Sequence, residues 1–196
     1  DRGIPTENVV VDDCTVYHGH GGFVCGSEMS GGIKNVQVSN NLYIGTDVGL
    51  RFKSTRGRGG IVENIYIRDI NMVNIPNEGL LFDLFYGGKA AGEETEEELA
   101  ARMNADAPEA SEETPAFRNI VIENVMGTNL KRAMYFNGLP ARKIENVTLR
   151  NINMSAKEGA LFRQTNGLII DNVTILPEQG ETFRIAPTVE NIQGLE

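Results

Sequence analysis

The sequence predicts an all-β chain wound as a parallel β-helix, and three observations carry that prediction. First, a short pattern recurs: Asn, apolar, any, apolar, any, Asn/Asp, apolar. It reads Asn8-Val-Val-Val-Asp-Asp-Cys14, then starts again at Asn35, Asn64, Asn119 and Asn146, more weakly at Gly167, and as a fragment at Asn191. Second, these starts are separated by 27, 29, 55, 27, 21 and 24 residues, so the period is that of a solenoid rung. Third, each copy alternates apolar and polar residues as a half-buried strand does, and no helical periodicity separates the copies. Strands at this spacing stack into rungs of about 25 residues, each burying its apolar face against its neighbours.

Each element follows from its residues. One apolar column holds Val9, Val36, Ile65, Ile120, Val147 and Leu168, and a second holds Val11, Val38, Ile67, Ile122, Leu149 and Ile170. The sixth motif position is Asp13, Asn40, Asp69, Asn124, Asn151 and Asn172. Asn and Asp tolerate the left-handed conformation, so this column predicts a tight bend lined by a polar ladder. A second short strand follows in each rung, at 23–27, 50–54, 80–86, 134–137 and 161–164. Asn137-Gly138 and Asn166-Gly167 fall at fixed places in the repeat, so they do not point to the hairpins of a β-sandwich.

The spacing of 55 is one rung plus roughly 28 residues. That surplus predicts an acidic insertion at 88–115 within one β-helix domain spanning 1–196. Between Gly92 and Ala116 there are nine acids against Arg102 alone, so most of the formal charge of −9 sits there and the body is near neutral. Thr95-Glu-Glu-Glu98 reads as a capping box and predicts one short helix. The insertion reads first as a solvated loop, and alternatively as a lid over a neighbouring groove. Without a basic excess or an interleaved aromatic stripe, nucleic acid is not an expected partner. No run of 18 apolar residues exists to form a membrane-spanning helix. Cys14 and Cys25 are too few for a disulfide scaffold, and both read as buried thiols in strand patterns.

The candidate site lies between Gly19 and Lys53. His20 is flanked by glycines that leave its ring approachable. Arg51 and Lys53 share one strand face while Phe52 points the opposite way. A titratable ring beside two fixed cations suits an anionic substrate. Arg56 and Arg58 follow, so the stretch from Val48 to Val62 carries four cations and no acid. His18 and Glu28 read as structural or peripheral. His18 and His20 lack a third ligand, so no metal or cofactor is expected.

Gly19-His-Gly21, then Gly26-Ser27, then Arg51-Phe-Lys53 about 30 residues on, set in Asn-rich rungs, resembles glycoside hydrolase family 28, the polygalacturonases and their relatives. These motifs cover about Asn8 to Tyr86, and the remainder is similar only as repeat pattern. The resemblance implies a right-handed parallel β-helix of the pectin-lyase-like kind. It implies inverting hydrolysis of α-linked galacturonic acid in pectin, with polygalacturonate or rhamnogalacturonan as partner, in a secreted or periplasmic setting. Position by position, His20 matches the family's histidine beside its catalytic carboxylates. Arg51 and Lys53 match the pair that binds the substrate carboxylate. Tyr86 in Phe85-Tyr86-Gly87 matches, more loosely, a tyrosine lining the sugar site.

One departure matters. The family's aspartates sit in an Asn-Thr-Asp motif and an Asp-Asp motif, and no Asn-Thr-Asp exists here. Asp12-Asp13 precedes His20 by only 7 residues, not by a rung, and Asp13 occupies the bend column. The expectation is therefore that these are the C-terminal rungs of a larger β-helix, incomplete and inactive alone, with the carboxylates upstream of Asp1. An exposed first rung would then pair with the upstream part or with itself. The competing reading is a noncatalytic β-helix module that binds acidic polysaccharide.

Overall fold

A computed structural model describes residues 3–86, 95, 97, 98, 101 and 109–195. It is a right-handed parallel β-helix. Among the described residues the ten strands are β1 (Thr6–Asp12), β2 (Thr15–Tyr17), β3 (Phe23–Cys25), β4 (Ile33–Ile44), β5 (Leu50–Lys53), β6 (Ile61–Asp83), β7 (Ala116–Asn137), β8 (Ile144–Arg163), β9 (Thr165–Ile185) and β10 (Glu190–Gln193). They stack in the order β1-β4-β6-β7-β8-β9-β10, and β2, β3 and β5 pair beside that path. The paired strands run parallel, and the register joins equivalent repeat positions. Val9 lies beside Val36, Val36 beside Ile65, Ile65 beside Ile120, Ile120 beside Val147, and Val147 beside Leu168.

Both apolar columns face the interior. Val38, Ile67, Ile122 and Leu149 are fully buried, whereas Val9 and Val11 in β1 are half-buried because no described rung covers them from outside. A phenylalanine ladder runs through the same core. Phe52 stacks on Phe82 at 4.3 Å, Phe82 meets Phe136 at 4.3 Å, and Phe136 meets Phe162 edge-on at 4.9 Å.

The bends form as the Asn/Asp columns require. Asp13, Asn40, Asp69, Asn124, Asn151 and Asn172 have φ of 50–57°. The pattern-opening residues Asn8, Asn35, Asn64, Asn119, Asn146 and Asn191 also adopt φ of 51–58°. That makes a second asparagine corner per rung, one the sequence reading did not assign. The amides bond down the stack, Asn124 to Asp69 at 3.0 Å and Asn151 to Asn124 at 3.3 Å. These ladders satisfy corner groups that helix or sheet bonding cannot reach.

Cys25 is buried as expected, but Cys14 is exposed. The reason is positional: Cys14 follows the bend at Asp13 on the first described rung, and its Sγ reaches the Asp12 carbonyl at 3.3 Å. Most of 88–115 lies outside the described residues. Within it, Glu97, Glu98 and Ala101 are helical, and the capping box is present. Glu98 N donates to Thr95 Oγ1 at 3.1 Å, and Thr95 N donates to Glu98 Oε2 at 2.9 Å. The end of the insertion is pinned to the turn after β5, where the Gly57 and Gly59 amides bond the Glu113 carbonyl at 2.9 and 3.1 Å.

Candidate functional site

The turn between β2 and β3 presents His20. Glycine is needed here because the chain crosses an aromatic ring: a Cβ on Gly22 would lie 2.2 Å from Tyr43. The turn is tied to the next rung through Gly22 N to Gly49 O at 2.9 Å and Asp47 N to Gly19 O at 2.8 Å. This brings the Asp47 carboxylate under the imidazole. His20 Nδ1 is 2.7 Å from Asp47 Oδ2, which leaves Nε2 directed away from the pair. The imidazole is 96% exposed and the carboxylate 47% exposed, so the contact orients the ring while leaving it accessible.

Arg51 and Lys53 project from β5 on the face opposite buried Phe52. Arg51 Nη1 donates to the His20 carbonyl at 3.1 Å, so the cation braces the histidine turn. Tyr86 completes the group from the end of the next rung, with Tyr86 N donating to the Ser54 carbonyl at 2.9 Å. Its ring lies 4.3 Å from Lys53 Nζ and 5.8 Å from the Arg51 guanidinium. The phenol ring thus holds both cations by their charge. The four residues singled out from sequence come together around Tyr86 and the His20 turn.

One expectation about the surroundings changes. Arg58 is charge-paired, whereas Arg56 keeps its charge while bonded to a neutral hydroxyl. Arg58 pairs with Glu28, and Arg56 donates to Thr114 Oγ1 at 3.2 Å. Asp12 is tied into the bend ladder. It accepts from Ser39 Oγ at 2.6 Å and Asn40 Nδ2 at 2.9 Å, and these bonds hold its carboxyl below the usual carboxylate range. His18 stands in a left-handed turn with its ring edge-on to Tyr17 at 4.1 Å.

Sequence reasoning missed Asp47. The signal was available: Asp47 follows His20 by 27 residues, the ordinary rung spacing, which stacks the two positions. Chemically, the cluster offers an accessible imidazole oriented by a carboxylate, beside two fixed cations and an aromatic ring. Such a group can grip a carboxylate through Arg51 and Lys53.

Fold and cluster together define a parallel β-helix protein with a cationic, histidine-bearing surface cluster on one sheet face. The chain belongs to the glycosyl hydrolases family 28, whose family model matches residues 4–174. It is 33% identical over 176 residues to a polygalacturonase of Ralstonia nicotianae, an alignment covering 84% of this chain and 29% of that protein. Among solved structures it resembles an exopolygalacturonase from Thermotoga maritima, with a TM-score of 0.71 and 28% identity, covering 91% of this chain and 36% of the other. A family 28 exopolygalacturonase of Yersinia enterocolitica shares the fold with a TM-score of 0.68 at 20% identity, over 91% of this chain and 29% of that one. The chain therefore spans about a third of the length of the relatives it matches.

Proposed function

We propose that these rungs are part of a glycoside hydrolase that cleaves α-linked galacturonic acid in pectin with inversion. They carry the substrate-gripping half of its site. The observation that carries this reading is the convergence of Arg51 and Lys53 on Tyr86, against the turn bearing His20. Arg51 takes the uronate carboxylate through its planar fork, Lys53 adds a point charge, and Tyr86 covers the sugar. His20, oriented by Asp47, stands beside the reacting carboxylates and tunes their proton affinity. Family membership and the polygalacturonase relatives support the same substrate class.

Inverting hydrolysis needs two carboxyls ~6.5–9.5 Å apart, one donating a proton and one activating water. Of the carboxylates at the cluster, Asp47 is engaged by His20, and Asp83, beside Lys53 on the next strand, accepts from Phe85 N and Asn137 Nδ2. The acid and base are then supplied by other rungs, with β1 as the strand that meets them or a second copy. This chain alone binds pectic oligosaccharide with little turnover, which is also what a noncatalytic binding module would do. The two readings separate in the full-length enzyme. There, His20→Ala abolishes most turnover with the fold intact, and wild-type kcat would refute its role.

Binding is tested on this chain by calorimetric titration with galacturonate oligosaccharides and with neutral galactose oligosaccharides. Losing one charge-assisted contact costs about 1.5–3 kcal/mol, so Arg51→Ala weakens galacturonate binding roughly 10- to 150-fold. Equal losses for both sugars would refute carboxylate recognition.

A further inference from the structure

The face that carries Arg51 continues along the solenoid. Arg51 lies beside Leu81, Leu81 beside Tyr135, Tyr135 beside Leu161, and Leu161 beside Arg184. A neighbouring column on the same side runs Glu78, Arg132, Glu158 and Gln179. Leu81, Tyr135 and Leu161 pack with Val48 as an apolar strip outside the main core. Four strand spacings of ~4.8 Å put Arg184, at the far end of this column, about 19 Å from Arg51. There a cavity of about 370 Å³ opens, lined by Arg132, Glu158, Leu161, Gln179, Glu181 and Arg184 among others.

The chemistry of this cavity differs from that of the His20 cluster. Its charged lining is two arginines and two glutamates, so its formal charge is zero. Arg132 is already neutralised. Its Nε and Nη2 donate to Glu158 Oε2 at 2.9 and 2.7 Å, and Glu78 stands 3.8 Å from Nη1. It also lies over the Tyr135 ring, at 5.3 Å. An added carboxylate would meet Glu158 and Glu181 with Arg132 already committed to Glu158, so Arg184 alone would stand against two glutamates and the desolvation cost. Hydroxyl groups face no such penalty: Gln179 and the glutamates accept from them, and Gln179 and the arginines donate to them. Leu161 provides an apolar floor for a ring face, the usual make-up of a small-molecule pocket.

We infer that this cavity is a second sugar site that takes an uncharged pyranose. Its occupant is a methyl-esterified galacturonate or a neutral sugar of the same chain whose free uronate is held at Arg51 and Lys53. The inference rests on the polygalacturonase reading for that second clause only. It makes the groove selective for pectin that is charged at one end and uncharged about four rungs further on.

The test titrates this chain with galacturonate oligosaccharides of equal length, long enough to span both ends, either as free acid throughout or partly methyl-esterified. Gln179 and Arg184 are both exposed, so Gln179→Ala/Arg184→Ala is expected to leave the far-ultraviolet circular dichroism unchanged. The esterified oligomer binds several-fold tighter than the free acid to the native chain. The double variant weakens it on the order of tenfold and leaves the free acid unchanged, and Gln179→Ala alone shows the same direction. Tighter binding of the free acid, or equal losses for both oligomers, overturns the inference.

Neutral galactose oligosaccharide, followed through the Leu161 and Gly180 amide resonances, separates the two sugar sources and the two readings. Shifts there with galactose support a general neutral-sugar site, and shifts only with the methyl ester narrow it to esterified uronate. If no galacturonate oligomer binds and Arg51→Ala changes nothing, the polygalacturonase reading fails while galactose shifts still support the cavity. Absence of shifts with both neutral probes refutes the cavity.

Discussion

Phe82→Ala removes the middle of the aromatic ladder and tests whether that ladder sustains the strands bearing the site. Phe82 is fully buried. It stacks on Phe52 at 4.3 Å, meets Phe136 at 4.3 Å and touches Phe117 edge-on at 6.2 Å. Truncating a buried phenylalanine costs about 3–5 kcal/mol in transfer and cavity terms. Two lost close ring pairs, each worth roughly 0.5–1.5 kcal/mol, place this position at the upper end, near 5 kcal/mol. For a chain of this size the melting temperature then falls by roughly 10–20 °C.

Phe23 provides the control. It is half-buried at the first rung and has one ring neighbour, Phe52, at 6.4 Å, so Phe23→Ala costs less than half as much. Urea unfolding followed by circular dichroism measures both variants. Because Leu81 and Asp83 flank Phe82 and line up with Arg51 and Lys53, galacturonate affinity also falls in Phe82→Ala at temperatures where it is still folded. A cost of about 1 kcal/mol or less, or equal costs at the two positions, would refute the ladder as the main prop of the central rungs.

Three other perturbations follow from the same geometry. Gly26 has φ of +96°, and a Cβ there would lie 1.9 Å from the Lys53 carbonyl, so Gly26→Ala displaces the site strand; it lowers both thermal stability and galacturonate affinity, and unchanged affinity would count against it. Cys14 reacts quickly with a thiol reagent while Cys25 reacts only on unfolding. Burial pushes the Cys25 thiol up to about 12 from an ordinary value near 9. The folded chain therefore keeps a proton that the unfolded chain loses, and stability falls as pH rises from about 9 towards 12. Cys25→Ala flattens that alkaline slope in pH-dependent urea melts. Asn124→Ala loses both the φ of 55° and the bonds to Asp69 and Asn151, costing about 1–3 kcal/mol. Asn124→Gly restores the backbone freedom and costs less; the reverse order would refute the left-handed corner as the reason for asparagine.

Much of the fold was legible because its rules are local. Alternation sets which residues of 36–38 or 65–67 point inward, and an asparagine can turn a corner without help from distant residues. Arg51 and Lys53 could be paired from sequence for the same reason: residues two apart on a strand share a face. Cys14 was misjudged because its pattern resembles a buried strand end, while its exposure depends on the bend at Asp13 and on what lies outside it. Arg58 was counted as an open cation because it is close in sequence to Arg51 and Lys53. The turn after β5 instead carries it to Glu28.

The repeat period, the two interior columns, the Asn/Asp bends and the grouping of histidine with paired cations belong to the amino-acid order itself, through backbone periodicity and side-chain chemistry. Which side chains meet across rungs was decided only by the wound chain. Asp47 reaches His20 because a rung of 27 residues closes there. Tyr86 reaches Lys53 across the next rung, and Leu161 with Arg184 carries the cluster's face on to a neutral cavity. Rungs of unequal length set these meetings, and their register is a sum over turns that no short stretch of sequence contains.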